Sequence, residues 1–343
     1  MHEKSIGYIF IVMASIIIVL AGIKSASVII VPILLSLFIA IILSPSLKYL
    51  NAKGLPQGLS LFIVITLFIV LLLLVGKLIG TSVTDFSSNI NFYEERITAQ
   101  YHLLSEVAQG YGIVIPVAEI SGLINSKQIL GFATQFLQSM GSMFTNGFIV
   151  LLTVIFMLLE SKHFGEKIAH SEGSHKTMES FGEIFTQIQN YMVLKAFISL
   201  VTGLIVWISL SLIGTEYAFL WAVLAFLLNF IPNIGSIIAA IPAVLITLVQ
   251  LGSLSAFIVA MLYVAINVIV GSIIEPKVMG KGLGLSTLVV FLSLLFWGWL
   301  LGMVGMLLSI PLTIIAKIIF NREKNTKWIA VLLGTGEHLN TKT

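Results

Sequence analysis

Long apolar stretches recur along this chain of 343 residues, and they constrain its fold more than any other feature. A stretch of about 18 or more apolar residues, as a helix rising about 1.5 Å per residue, covers the roughly 30 Å hydrocarbon core of a bilayer. Hydrophobic residues make up 58% of the chain and charged residues only 10%, against about 25% charged residues in ordinary soluble domains. Backbone groups in lipid must be satisfied internally, so the sequence predicts an all-α polytopic membrane protein.

Continuous apolar stretches predict the full-length spans. They lie at Ile6 to Ile23, Val28 to Leu43, Leu59 to Ile79, Met140 to Leu159, Tyr191 to Ile213 and Ser255 to Ile274. Pro45, Gly54 and Pro56 are expected in the connection between the second and third spans, and Glu275 with Pro276 is expected to end the last.

More polar segments separate these spans. Residues 80–139 alternate charged and apolar residues at helical spacing, which predicts an amphipathic helical insertion outside the bilayer. Residues 160–190 form a charged connection between two spans. The expected regions are therefore 1–79 (three spans), 80–139 (insertion), 140–213 (two spans), 214–320 (transport unit) and 321–343 (basic tail).

Two further apolar stretches are interrupted. The first has arms at Ala218 to Ile231 and Ile237 to Gln250; each arm, about fourteen residues long, would reach only about 21 Å as a helix. The second runs from Ser286 to Phe320. Both stretches are predicted to be hairpin-like. The residues expected to break the helices are Pro232, Gly235, Gly302 and Gly305.

Basic residues support the hairpins, because lysine and arginine favour the cytoplasmic side. If the first interrupted stretch crossed the membrane once, Lys277 and Lys281 would lie opposite the other basic segments. A hairpin returns them to the same side. The same count places both termini in the cytoplasm and the 80–139 insertion outside.

Interrupted helices also indicate where a solute binds, because unwound backbone at membrane depth frees polar groups and is tolerated only beside protein or water. Nearby amide and hydroxyl side chains suit a small hydroxylated solute. The alternative is that Pro and Gly only kink the helices while asparagines join neighbouring helices. The predicted substrate-binding residues are Asn229, Asn233, Ser236 and Asn267.

Ionisable and aromatic residues near the spans each have two interpretations. Glu275 can carry a coupling proton, or it can pair with Lys277 at a solvated helix end. Lys195 is interpreted as snorkelling to the membrane interface. Trp297 and Trp299 are typical of an interfacial belt, although indoles also stack on ring-shaped ligands.

Several classes of protein lack their sequence signatures here. The chain has no cysteine, no glycine-rich phosphate loop and no His-Glu-x-x-His motif. The spacing of His163, His170 and His175 fits a solvated loop better than a metal site. The net charge of +3 comes from scattered residues, which does not indicate nucleic-acid binding. No enzymatic activity, cofactor or metal is expected.

Three motifs carry a resemblance to a known family. They are the run from Asn229 to Ser236 with Ile241-Pro242, the Ile274-Glu275-Pro276-Lys277 turn with Met279-Gly280, and Gly282 to Leu301 with Trp297-Gly298-Trp299. Together with the order of spans along nearly the whole chain, they resemble the autoinducer-2 exporter family. The resemblance implies a multi-pass inner-membrane homo-oligomer, a pentamer, that exports the small polar furanone autoinducer-2 in quorum sensing.

Three functional hypotheses follow. The first is a secondary transporter exporting autoinducer-2, with the two hairpins and the span between them around the solute; Asn233→Ala would then abolish export without lowering abundance. The second is a sodium or lithium/proton antiporter, as other members of the family that the sequence resembles are described, and it would use Glu275. The third is a non-transporting scaffold or sensor that binds a partner through residues 80–139.

Overall fold

The computed structural model describes residues 6–89, 92–93, 95–96, 147–169, 175–232, 234–279, 284–322 and 325–334. These residues are helical almost throughout and include no strand, which confirms the predicted all-α fold. Most of the predicted 80–139 insertion, the start of the fourth predicted span and Asn233 lie outside the described residues.

The helices follow the apolar stretches of the sequence. In chain order they are α1 (Ile6–Ser25), α2 (Ser27–Ala52), α3 (Gln57–Ser88), α4 (Gly147–Ala169), α5 (His175–Ile213), α6 (Ala218–Leu228), α7 (Gly235–Leu251), α8 (Ser253–Ile266) continued by a π-helical turn (Asn267–Ile274), α9 (Glu275–Met279), α10 (Thr287–Leu307), α11 (Ser309–Arg322) and α12 (Lys327–Leu332).

Five of the described helical stretches are long and apolar enough to cross a membrane. They are Ser27–Ala52, Gln57–Phe86, Phe185–Ile213, Ser253–Val278 and Thr287–Leu307. The chain is therefore a multi-pass membrane protein, as its composition predicts.

Some predicted helix ends are wrong, because several helices continue beyond the apolar stretches from which the spans were predicted. α2 continues through Pro45 to Ala52, since a membrane helix accommodates the missing proline donor when neighbouring groups satisfy the freed carbonyl. α3 extends to Ser88, into the predicted insertion. Much of the predicted charged connection is also helical: α4 reaches Ala169, and α5 begins at His175.

Contacts divide the chain into two compact units. The terminal unit comprises Met1–Leu61, Ile149–Leu194 and Met279–Thr343; the central unit comprises Phe62–Phe148 and Lys195–Val278. In the terminal unit α1, α2 and α10 pack on one another, and α11 packs on α10 and α12. In the central unit α7 packs between α6 and α8. Each unit joins segments distant in the sequence, so the units differ from the five consecutive regions predicted.

The first interrupted stretch is a hairpin within the central unit. α6 has 11 residues and α7 has 17, about 17 Å and 26 Å as helices, both short of the roughly 30 Å hydrocarbon core. The hydroxyls of Thr215 and Thr247 are 3.1 Å apart, which shows that the start of the first arm lies beside the end of the second. The Gln250 amide also donates to the Gly214 carbonyl at 3.1 Å. The chain thus returns to the end from which it started.

The second interrupted stretch is a hairpin within the terminal unit. Gly302 interrupts α10 with φ 68° and ψ −151°, a conformation that L side chains avoid. Beyond it the chain folds back, so that the Trp297 indole donates to the Thr313 hydroxyl at 3.0 Å. The Lys317 ammonium donates to the Gly284 carbonyl at 2.5 Å. The break predicted around Gly302 is confirmed, whereas Gly305 lies inside the helical turn that follows it.

The last predicted full span continues past the point where it was expected to stop. The π-helical turn Asn267–Ile274 joins α8 to α9, and α9 includes both Glu275 and Pro276. Pro276 cannot donate a backbone hydrogen bond, and the wider π turn before it accommodates the missing donor without ending the helix. The predicted stop at Glu275 and Pro276 is therefore wrong.

Two glycines allow the hairpin arms to approach closely, and this generates a first prediction. A Cβ on Gly235 would overlap the Leu228 carbonyl oxygen, and one on Gly305 would overlap the Trp297 carbonyl oxygen. We expect Gly235→Ala and Gly305→Ala each to destabilise the protein by about 3 kcal/mol, because backbone atoms cannot move aside cheaply. Thermal unfolding of the purified protein in detergent measures the loss.

Gly76→Ala is the matched control, because a Cβ there meets no atom within 4 Å. Unchanged unfolding temperatures in both hairpin variants would contradict the close approach of the arms.

Candidate functional site

Helix α5 carries a line of buried polar side chains through an apolar span. Lys195, Ser199 and Thr202 are 2%, 0% and 4% exposed. Residues spaced by three and four positions lie on one face of a helix, so these side chains form a polar stripe along α5. The Thr202 hydroxyl donates to the Ile198 carbonyl of its own helix. The other two residues contact different elements of the central unit.

Lys195 forms an ion pair with Glu275. Its ammonium lies 2.5 Å from the carboxylate, between residues 80 positions apart in the sequence. The Lys195 side chain is 3% exposed and that of Glu275 is 19% exposed. The interpretation of Lys195 as a snorkelling residue is therefore wrong, and Lys195, not Lys277, is the partner of Glu275. Charged residues within membrane spans are costly and pair with one another, and they commonly mark functional positions.

Ser199 connects the same stripe to the tip of the first hairpin. The Asn229 amide, which directly follows α6, donates to the Ser199 hydroxyl at 2.9 Å. Ser199 lies one helical turn from Lys195, so the hairpin tip and the ion pair adjoin along α5. Asn229 thus makes the interhelical bond expected under the alternative interpretation, while its role in binding a solute stays a prediction.

A groove between α7 and α8 brings together the other predicted polar residues. It encloses about 460 Å³, within the roughly 300–1,000 Å³ typical of small-molecule sites. Its lining includes Ser236 from the first turn of α7, Asn267 from the π-helical turn and Tyr263 from α8. Aliphatic side chains, among them Ile237, Ile241 and Val244, form the rest of the walls.

Polar groups in this groove have no partner among the described residues. The Tyr263 hydroxyl is buried and neither donates nor accepts a hydrogen bond with any described residue. Asn267, half-buried, lies over Gly271: a Cβ at Gly271 would be 3.2 Å from the Asn267 side-chain oxygen. Unsatisfied polar groups at buried positions cost about 1–3 kcal/mol each, and a hydroxylated solute in the groove would recover part of that cost.

The structure brings some predicted residues together and separates others. Ser236 and Asn267 share the groove, Asn229 and Glu275 lie along the α5 stripe, and Gly302 belongs to the second hairpin in the terminal unit. Sequence reasoning missed Tyr263 and the buried position of Lys195. The spacing of Lys195, Ser199 and Thr202 was a local signal for a polar stripe. Among the described residues, no group of three or more His, Asp or Glu is placed to hold a metal ion.

The fold and the site together define a class: a polytopic α-helical membrane protein with a broken helical hairpin beside an ion pair between a buried lysine and a partly buried glutamate. A family model described as AI-2E family transporter matches residues 9–324. The chain belongs to the AI-2E transporter family, and it is a transporter rather than an enzyme.

Named relatives cover nearly all of the chain. It is 39% identical over 326 residues to the "AI-2 transport protein TqsA" of Escherichia coli K12, covering 95% of each chain. It is 42% identical over 331 residues to a "Putative transport protein" of Haemophilus influenzae, covering 94% of this chain and 95% of the relative. It is also 34% identical over 342 residues to "Putative transport protein YhhT" of Escherichia coli K12, covering 97% and 96%.

The ion pair generates the second prediction. Lys195→Met would leave the Glu275 carboxylate without its cation; loss of one partner of a fully buried pair costs about 3–5 kcal/mol, and because the Glu275 side chain is 19% exposed we expect a loss nearer the lower end of that range. We expect the variant to unfold at a clearly lower temperature in detergent, and Lys195→Met/Glu275→Leu to recover most of the loss. Lys277→Met, at an exposed residue, is the control and should unfold like the wild type.

A Lys195→Met variant as stable as the wild type would contradict a closed ion pair in the folded protein.

Proposed function

We propose that this transporter exports autoinducer-2, and that the groove between α7 and α8 binds the solute. The observation that carries the proposal is the meeting of Ser236, Tyr263 and Asn267 in one groove beside the broken hairpin. Three polar groups on aliphatic walls fit a small ring that carries hydroxyls, because a few placed hydrogen-bonding groups set orientation while apolar walls exclude water. The relative named as an AI-2 transport protein supports this solute.

In this proposal the first hairpin is the element that moves during transport. α6 and α7 do not cross the membrane as helices of full length, and among the described residues of the tip one side-chain hydrogen bond, Asn229 to Ser199, holds it to α5. A tip held by one neutral hydrogen bond, worth about 1 kcal/mol, can be displaced during a transport cycle. The π-helical turn adds a second irregular element on the other wall, and such turns are frequent at functional sites.

The setting of the protein is part of the same proposal. We infer that the chain lies in the bacterial inner membrane, and the positions of the basic residues support an orientation with both termini in the cytoplasm. Assembly into a homo-oligomer, and a pentamer in particular, rests on the resemblance of the sequence to the autoinducer-2 exporter family.

The third prediction concerns uptake of autoinducer-2 into inside-out proteoliposomes. We expect saturable uptake by the wild type and a reduction of about tenfold at low solute concentration in Asn267→Ala, the effect of losing a hydrogen bond of about 1.4 kcal/mol. Ser236→Ala and Tyr263→Phe test the other two polar groups, and Asn233→Ala tests the predicted residue at the break.

Val268→Ala is the matched control for uptake, because Val268 is the exposed neighbour of Asn267 on the same helix. Uptake that persists in all of the groove variants would place the solute elsewhere. Equal loss of uptake and of membrane abundance in a variant would assign its residue to folding.

The ion pair favours a second candidate function, a sodium or lithium/proton antiporter. Glu275 is the more exposed member of the pair, so a cation can reach its carboxylate while Lys195 stays buried. A carboxylate that exchanges its lysine partner for a proton or a small cation is the chemistry that such exchange requires.

The fourth prediction separates the two functions. If the protein is an antiporter, sodium or lithium added to proteoliposomes should drive proton release, and Glu275→Gln should abolish it because the amide carries no exchangeable charge. A pH-sensitive dye inside the vesicles measures the flux, with Lys277→Met as the control. Autoinducer-2 uptake without cation-driven proton flux would exclude the antiporter.

A further inference from the structure

A second polar cluster lies at the open end of the first hairpin, away from the groove and the ion pair. The Tyr93 hydroxyl donates to the Glu216 carboxylate at 2.5 Å and lies 3.2 Å from the Tyr217 hydroxyl. We call Tyr93, Glu216 and Tyr217 the clasp. Tyr93 is 2% exposed and follows the end of α3, whereas the other two residues directly precede α6. The clasp therefore joins the segment just after α3 to the start of the hairpin.

Aromatic packing fixes the position of Tyr93. Its ring stacks on Phe86, with centroids 5.5 Å apart, and Phe86 also meets Tyr217 edge to face at 6.1 Å. Phe86 is the last residue of a membrane-spanning stretch, so the clasp lies where that span ends. Offset and edge-to-face aromatic pairs contribute about 0.5–1.5 kcal/mol beyond the area they bury.

The hairpin side of the clasp is held through its backbone. The Glu216 amide donates to the Gln250 side-chain oxygen at 2.8 Å, and the Glu216 carbonyl accepts from the Trp221 indole at 2.9 Å. Tyr217 has a φ of 56°, a left-handed conformation that is uncommon for a residue other than glycine. Contacts on both sides thus keep Glu216 and Tyr217 facing Tyr93.

The phenol remains a hydrogen-bond donor over the physiological range. Burial raises the pKa of Tyr93 well above its usual range, and the hydrogen bonds with Glu216 and Tyr217 raise it further. The bond to Glu216 is charge-assisted when the carboxylate is ionised, and such bonds are about twice as strong as neutral ones.

We propose that Tyr93 is a positioning residue for transport: its phenol holds the open end of the first hairpin closed, and release of the clasp opens it. The proposal rests on the proposed movement of this hairpin, and it adds a route of control. Tyr93 lies in the segment that follows α3, so a change in the position of this segment would reach the hairpin through the clasp.

The absence of native cysteine allows a direct test with single reporter cysteines. Thr247 is fully buried against Thr215 at the open end of the hairpin. In membranes, Thr247→Cys should react slowly with a water-soluble maleimide, and adding Tyr93→Phe should accelerate labelling about fivefold, the factor expected for one lost hydrogen bond. The phenylalanine ring keeps its packing on Phe86, so the hydroxyl is the group removed.

Conservative variants and reporters distinguish release of the clasp from general damage. Glu216→Gln keeps a neutral oxygen that accepts from Tyr93, so it should label at a rate between those of the wild type and Tyr93→Phe, whereas Glu216→Leu should label like Tyr93→Phe. Leu251→Cys, at the more exposed turn, should label equally in every background. Val206→Cys, buried in α5, should remain protected. Unchanged labelling of Thr247→Cys, or simultaneous exposure of Val206→Cys, would overturn the proposal.

A transport measurement tests the second half of the proposal. Joining Tyr93→Cys to Glu216→Cys with a short, reducible bifunctional thiol reagent should stop uptake, and reduction should restore it; each single-cysteine variant receives the same reagent as the control. Uptake that continues in the joined protein would make the clasp a static anchor and overturn its role in transport. The labelling test needs no solute, so a failure of autoinducer-2 uptake would leave its outcome separate.

Discussion

Backbone hydrogen bonding at membrane depth is the constraint on which the rest of this structure depends, because lipid offers no partner to a free amide or carbonyl. Helices α6 and α7 are too short to cross and must leave polar groups at their ends. At the open end, the Gln250 amide accepts from the Glu216 N–H and donates to the Gly214 carbonyl. The Gln250 side-chain amide therefore satisfies backbone groups that the next helical turn would satisfy in a longer helix, and it also holds the two arms together.

The same physical solution occurs in both units of the chain. Each hairpin has a glycine just after its turn that lies against a carbonyl of the opposite arm, Gly235 against Leu228 and Gly305 against Trp297. Glycine permits this approach since it lacks a side chain, and close backbone contact replaces the hydrophobic driving force that helices lack in lipid. The two hairpins are thus built alike although their sequences correspond only weakly.

The spans and both interruptions could be predicted because hydropathy and helix breakers are local properties of the sequence. The predicted stops at Pro45 and Pro276 failed, since a membrane helix can absorb a proline, in the second case beside a π-helical turn. The Lys195–Glu275 pair could not be predicted, because 80 residues separate its members and one sequence holds no information on spatial contact. Long basic side chains commonly reach the membrane interface, which favours the wrong position for Lys195, whereas its spacing with Ser199 indicates a buried polar stripe.

Protein stability alone does not explain why Lys195 and Glu275 are charged residues. Replacing a buried pair by apolar residues of similar volume is often neutral or stabilising by about 1–4 kcal/mol, and an apolar pair would suit a chain that is 58% hydrophobic. Packing therefore gives no reason for Lys195 and Glu275 to be charged. Their unequal exposure, 3% and 19%, leaves one charge fixed and the other within reach of a solute or cation, an asymmetry that a transport cycle can use. The Ser199–Asn229 bond lies one helical turn along α5 from this pair, so in the proposed transport cycle α5 links Glu275, through its lysine partner, to the hairpin tip.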